Sequence, residues 1–147
     1  MEIRKAELTD LDQLAELFNQ YRIFYKKEPE YENGRKFLSD RMTNGESEIF
    51  IADHNGRLAG FVQLYPIFSS TRMKRLWLLN DLFVLPEYRG QGVSTKLIDR
   101  CKELCKNTKA CGLLLETSKS NTIGNQLYPK AGFELETSSN FYTWNVG

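Results

Sequence analysis

Residues 76–94 constrain the chain more than any other stretch. An apolar run, Leu76-Trp77-Leu78-Leu79-Asn80-Asp81-Leu82-Phe83-Val84-Leu85, meets Pro86 and then the turn Glu87-Tyr88-Arg89-Gly90-Gln91-Gly92-Val93-Ser94. The run reads as a strand, and the proline stops it. From about Ser94 to Lys106, Val93, Leu97, Ile98, Cys101, Leu104 and Cys105 recur at helical spacing, while Lys96, Asp99, Arg100 and Lys102 face outward. Strand, glycine turn and helix in that order build an anion-binding corner. Small residues at Gly90, Gly92 and Ser94 let the backbone approach a ligand. The unpaired N–H groups and positive dipole end of the helix face the turn, and Arg89 adds a full charge. An ordinary packed turn has the same pattern, so the corner needs a second signal to carry a function.

That signal is a resemblance. Arg89-Gly90-Gln91-Gly92-Val93-Ser94 resembles the acetyl-CoA signature of the GNAT superfamily of N-acetyltransferases, Gln/Arg-x-x-Gly-x-Gly/Ala, with Ser94 in place of the final Gly or Ala. A second block, Leu113-Leu114-Leu115-Glu116 through Asn121, Tyr128, Gly132 and Phe133, is similar to the element Asn-x-x-Ala-x-x-x-Tyr-x-x-x-Gly-Phe of the same family. Gly124 stands where that pattern has Ala, and Pro129 falls where the helix ends and shortens it. The resemblance runs from residue 48 to residue 145.

Upstream, Ile3-Arg4-Lys5-Ala6 reads as a first strand, and Thr9 or Asp10 as the cap of a helix through Leu11, Leu14, Phe18 and Phe24. The segment Glu28 to Gly34 breaks that helix, and a second carries Phe37, Leu38 and Met42. Strands at Ser47–Asp53 and Leu58–Pro66 flank the hairpin turn His54-Asn55-Gly56-Arg57. Leu113 opens a further buried strand, Gly132-Phe133 steps into another, and Asn140 to Val146 alternates aromatic and polar residues as a final strand. The 147 residues suit a single mixed α/β domain. The resemblance implies a GNAT-like fold, a central twisted mixed sheet of six to seven strands flanked by four helices, with residues 1–147 as one N-acetyltransferase domain.

The resemblance also implies a chemistry: transfer of an acetyl group from acetyl-CoA to a primary amine by direct attack in a ternary complex. Such a transfer needs an oriented thioester, an uncharged amine and a proton for the departing thiolate. Backbone groups of Leu82, Phe83 and Val84 are expected to pair with the pantetheine arm, Arg89, Gly90, Gln91, Gly92, Val93 and Ser94 to hold the pyrophosphate, and Asn121 to bond the pantetheine. Tyr128 is expected near the sulfur as general acid, a role that also places it at the cofactor. Asp81 and Glu116 are the candidate bases, each equally suited to a structural role, and Asn80 is suited to orienting a water. Asn80 and Asp81 point to opposite sheet faces unless a bulge intervenes. Tyr21, Arg22 and Tyr25 offer an aromatic and charged surface for the acceptor. The run Asn80 to Val84 resembles the matching strand of polyamine-type enzymes, which favours a small amine over a protein lysine. The alternative on the same fold is a non-catalytic acyl-CoA sensor, which the Asn at position 80 keeps open.

Composition narrows the field. A net charge of +1, from 20 basic and 19 acidic residues, leaves no broad footprint for nucleic acid. The charged opening Met1-Glu2-Ile3-Arg4-Lys5 is unlike a secretory segment, and no apolar run approaches membrane-spanning length, so a cytoplasmic protein is expected. One histidine, His54, and three cysteines without a Cys-x-x-Cys argue against a metal site and a His-based triad. Cys101 and Cys105, one turn apart on the apolar stripe, read as buried thiols rather than nucleophiles. A dinucleotide fold fails because Gly90-x-Gly92 lacks the third glycine of that fingerprint. The aromatic strand Phe141 to Trp144 is suited either to pairing across a homodimer or to being covered within its own chain.

Overall fold

The computed structural model describes residues 1–147, which divide into two compact units, 1–116 and 117–147. The first holds a five-stranded sheet in the order β1 (Glu2–Lys5), β2 (Glu48–His54), β3 (Arg57–Ser69), β4 (Lys74–Val84), β5 (Leu113–Leu114). The first four strands are antiparallel neighbours and β5 joins β4 in parallel. The β2–β3 turn forms as the sequence predicts, because Asn55 and Gly56 both take the positive φ, 52° and 91°, that such a two-residue turn requires.

Two helices, α1 (Leu11–Phe24) and α2 (Tyr31–Thr43), cover one face of this sheet. Leu14, Ala15, Leu17 and Phe18 of α1 meet Leu38 of α2 and the inward residues Ile49, Ile51, Phe61 and Phe83 of the strands. The alternate strand residues, among them Phe50 and Val62, are buried toward α3 (Val93–Asn107), whose Arg100 guanidinium lies 4.4 Å from the Phe50 ring centroid. Trp77 Nε1 donates to Thr108 Oγ1 at 3.0 Å and pins the end of that helix to β4.

Three boundaries differ from the sequence reading. The break after α1 is shorter, because Gly34 sits inside α2 with its bare Cα against Phe18, where a Cβ would come within 3.1 Å of the ring. Neither Thr9 nor Asp10 caps α1 with its side chain. The Asp10 carboxylate instead accepts from the Glu7 N–H at 2.8 Å and takes a two-pronged bond from Arg4, also at 2.8 Å, which ties β1 to the start of α1. The sheet has five strands, not six or seven. β5 forms a ladder of only two residues, and no strand follows Gly132 or spans Asn140–Val146. An alternating segment becomes a strand only when a neighbour supplies a ladder and a core covers one face. Here Phe141, Tyr142 and Trp144 are 76%, 85% and 84% exposed, so no core covers the segment.

The second unit contains α4 (Thr122–Lys130), nine residues long with Pro129 in its last turn. Asn121 caps it, accepting from Gly124 N–H at 3.1 Å, while its Nδ2 donates to Thr117 Oγ1 at 3.0 Å. The Tyr128 ring packs edge-on against Phe133, centroids 5.7 Å apart, and the Phe133 N–H returns to the Tyr128 carbonyl at 3.0 Å. No helix is long and apolar enough to cross a membrane.

Candidate active site

The β3–β4 ladder slips by one residue at the centre of the sheet. Gln63 pairs with Asp81 and Leu64 with Leu79, so Asn80 is the extra residue of a β-bulge. The bulge lets Asn80 and Asp81 cooperate rather than face apart, and Asn80 Nδ2 donates to Asp81 Oδ1 at 3.0 Å. Asp81 is 4% exposed and faces the α1 side, where Gln63 Nε2 donates to its Oδ2 at 2.6 Å and the Tyr21 side chain adds a further hydrogen bond. The Tyr21 hydroxyl also lies 3.2 Å from the Asn80 carbonyl. Burial raises the Asp81 carboxyl above the ordinary 3.8, against the pull of Gln63, Tyr21 and Asn80, which all stabilise the charged form.

Gln63 and its partner Ser47 escaped the sequence reading. Ser47 Oγ donates to Gln63 Oε1 at 2.9 Å, which fixes the amide so that its N–H₂ faces Asp81. The available signal was a lone amide in the apolar run Leu58 to Leu64, since a fully buried glutamine needs partners on both ends. Tyr65, two residues on, is pushed up to about 12 by burial and by the charge of Asp81, with Arg41 acting in the opposite sense.

Beyond the bulge, β4 has β3 on one edge and, from Leu79 to Val84, no strand on the other, because β5 reaches only Trp77 and Leu78. Leu82, Phe83 and Val84 therefore lie on an open edge that leads through a short 3-10 turn at Pro86–Tyr88 into the glycine corner. Gly90 and Gly92 take φ of 76° and 78°, a Cβ on either would meet nothing within 4 Å, and α3 starts with no acidic residue in its first turn. Residues 90–94 thus bring backbone N–H groups to an open helix N-terminus, the setting that suits a pyrophosphate. Arg89 is turned back along β4. Its Nε donates to the Val84 carbonyl at 2.9 Å, and its guanidinium lies 5.4 Å from the Phe83 ring and 5.9 Å from Phe24.

The fold and the corner together match known proteins. The chain matches the Acetyltransferase (GNAT) family over residues 11–133. It belongs to the GNAT family. It is 42% identical over 146 residues to the uncharacterized N-acetyltransferase YhfO of Bacillus subtilis, covering 99% of this chain and 98% of that one. A probable acetyltransferase of Haemophilus influenzae is 34% identical over 145 residues, 94% of this chain and 99% of its own. The crystal structure of a probable acetyltransferase, 40% identical, superposes with a TM-score of 0.94 over 100% of this chain and 99% of that one. The chain is accordingly an acetyl-CoA-dependent acetyltransferase on a GNAT fold of four helices and one five-stranded mixed sheet.

The remaining expected site residues are placed unevenly. Tyr21 and Tyr25 stack edge-on at 5.0 Å, and Tyr21 and Phe24 lie 6.4 Å from the Phe83 ring, so the end of α1 does reach the open strand. Arg22 is occupied elsewhere, donating to the Glu28 carbonyl at 2.8 Å and pairing with Glu30 at 3.4 Å to hold the loop before α2. Glu116 lies on no strand but beyond the short β5, exposed. Asn121 and Tyr128 are placed within the second unit by the cap and the ring contact described above. A cavity of about 360 Å³ lined by Glu48, Arg75, Trp77 and Thr108, among others, includes none of the expected site residues. Cys101 and Cys105 are buried free thiols; burial pushes Cys101 up to about 12 and Cys105 in the same direction, which leaves both poor nucleophiles. No group of three or more His, Cys, Asp or Glu side chains is placed to hold a metal ion.

Proposed function

We propose that this acetyltransferase acylates a primary amine of a small molecule, a polyamine, amino acid or similar, by direct attack in a ternary complex, with residues 1–147 working as one domain. The observation that carries the reading is the open edge of β4 running from the Asn80 bulge into the glycine corner. It offers an extended backbone for an amide-bearing arm, an anion cradle at one end and a buried carboxylate at the other. Bound acetyl-CoA supplies an activated acetyl thioester there.

In this proposal the backbone of Leu82, Phe83 and Val84 aligns the pantetheine arm, and the N–H groups of residues 90–94 hold the pyrophosphate. Asn121 bonds the pantetheine while it caps α4. Tyr128 donates the proton that the departing thiolate needs, a task suited to a phenol held by its neighbour Phe133. Asp81 is the base, favoured over exposed Glu116 because burial raises its proton affinity toward the working range, and Asn80 orients it. Tyr21, Tyr25 and the Arg22 loop line the acceptor side. Among more distant relatives, a thialysine N-epsilon-acetyltransferase of Mus musculus is 39% identical over 87 residues, which supports a small amine; a putative [ribosomal protein bS18]-alanine N-acetyltransferase of Bacillus subtilis, 26% identical over 145 residues, marks the competing class. Three free thiols fit a cytoplasmic setting, and the uncovered aromatic tail supports a homodimer.

The test is release of free CoA thiol from acetyl-CoA across polyamines, amino acids, aminoglycosides and lysine peptides, with a no-acceptor control. Turnover with a small amine and none with peptides is expected. Turnover confined to peptides, or no amine-dependent release while acetyl-CoA still binds, overturns the proposal.

A further inference from the structure

The carboxylate of Asp81 is sealed. At 4% exposure it is walled in by Gln63, which is itself fully buried, by the Asn80 amide and by Tyr21 of α1. A base so enclosed meets an acceptor's proton only through one of these neighbours. The two amides are excluded by their chemistry, because an N–H₂ group donates and does not accept. Gln63 is further locked by Ser47, which occupies its Oε1. The Tyr21 hydroxyl is the one partner able both to donate and to accept. It also has a place to turn: it lies 3.2 Å from the Asn80 carbonyl, an acceptor separate from the Asp81 carboxylate. Tyr21 itself is only half-buried, on the helix that lines the acceptor side.

We propose that the Tyr21 hydroxyl is the proton relay between the acceptor amine and the sealed carboxylate of Asp81. The inference rests on the reading of Asp81 as the base of N-acetyl transfer. With Asp81 ionised, Tyr21 donates to it. When an acceptor ammonium arrives, its N–H bond breaks toward the Tyr21 oxygen as the Tyr21 O–H bond breaks toward Asp81. The products are a neutral amine, a restored phenol and a neutral carboxylic acid. Asp81 then donates to Tyr21, and Tyr21 turns its own O–H to the Asn80 carbonyl, so the carboxylic acid and the phenol each keep an acceptor once the proton has arrived. The proton returns to solvent by the same path after the product leaves. The bulge is what makes this possible, since the extra residue puts the Asn80 carbonyl beside the carboxylate. Tyr65 from β3 feels the charge of Asp81, and Arg41 from α2 acts on Tyr65 in the opposite sense.

Two readouts test the relay, one of them independent of any acceptor. In protein labelled with ¹³C at the aspartate carboxyl, the Asp81 resonance is titrated in wild type, Tyr21→Phe and Tyr25→Phe. Removing the Tyr21 donor is expected to move the Asp81 midpoint upward, and Tyr25→Phe to leave it in place; an unmoved midpoint in Tyr21→Phe overturns the relay. Tyr21→Phe keeps the ring in the aromatic cluster, and thermal melts verify folding. The second readout is the pH–rate profile with spermidine and thialysine as probe amines. Tyr21→Phe is expected to lower kcat by about 10²-fold below the amine's own pKa, with the loss shrinking above it, where the free amine needs no relay. A change confined to KM, with Asp81→Asn impaired in kcat, overturns the relay and spares the base. An Asp81→Asn enzyme as active as wild type at every pH removes the base, and with it the relay.

Discussion

Gln63 Nε2 donates to the Asp81 carboxylate at 2.6 Å across the rung of the β3–β4 ladder that directly precedes the slip at Asn80. This places an ionisable group at the centre of the sheet with its proton affinity raised by burial, and stability must respond to pH. A carboxyl raised above its unfolded value favours the folded state below that value, ordinarily 3.8, and the advantage is lost as pH climbs through the raised one. The stability of wild type minus that of Asp81→Asn is therefore expected to fall as pH climbs from about 4 through the raised value. Urea melts of the two proteins across that range check it, and a difference that rises with pH removes the claim that burial dominates.

Asp10 titrates in the opposite sense. The Arg4 guanidinium holds its carboxyl below the usual 3.8, so its contribution is present above that value and lost as pH falls through the lower folded one. Asp10→Asn is expected to cost ~2 kcal/mol at pH 7, because it breaks a two-pronged charge-assisted pair at the junction of β1 and α1, and progressively less toward pH 2. Thermal melts at both pH values measure the difference.

Position 124 offers a test of the departure from the family pattern. A Cβ there would collide with Asn121 Nδ2, so Gly124→Ala forces the capping side chain away. Loss of the cap costs about 1 kcal/mol, and Ala gains about the same over Gly inside a helix, so overall stability is expected to change by less than about 1 kcal/mol. Exchange of the residue 124 amide hydrogen should nevertheless accelerate, because its acceptor has gone. Native-state hydrogen exchange distinguishes this local opening from an unperturbed helix.

Tyr128→Phe keeps the ring that packs on Phe133 and removes only the hydroxyl. If Tyr128 is the acid, turnover falls by about 10²-fold with little change in KM for acetyl-CoA. Steady-state assays under conditions where chemistry limits the rate give the answer, and full turnover retires the role.

The tail carries Phe141, Tyr142, Trp144 and Val146 at 76%, 85%, 84% and 90% exposure. Apolar surface of that extent is expected to be covered by a second copy of the chain. Light scattering should give twice the 17.1 kDa of one chain, and Phe141→Ser with Trp144→Ser should halve it. A strictly monomeric wild type ends the dimer proposal.

Much of the architecture was legible because it rests on local rules. The Asn55-Gly56 turn, the amphipathic stripe of α3 and the positive-φ glycines of the corner each follow from what neighbouring residues allow, and each is found where the spacing puts it. The tail was misread for the same reason: alternation at Asn140–Val146 is a local pattern, but a strand needs a ladder, and these residues form none.

Sequence alone determined the class of the protein, since the order strand, glycine corner, helix and the second Asn–Tyr–Gly-Phe block are written in consecutive residues. Tertiary structure alone decided what surrounds Asp81. The one-residue slip at Asn80, the meeting of Ser47, Gln63 and Asp81, and the approach of Tyr21 from α1 join positions up to 60 residues apart. No local pattern encodes such a meeting, because register and burial are settled only when the strands and the helix above them pack together.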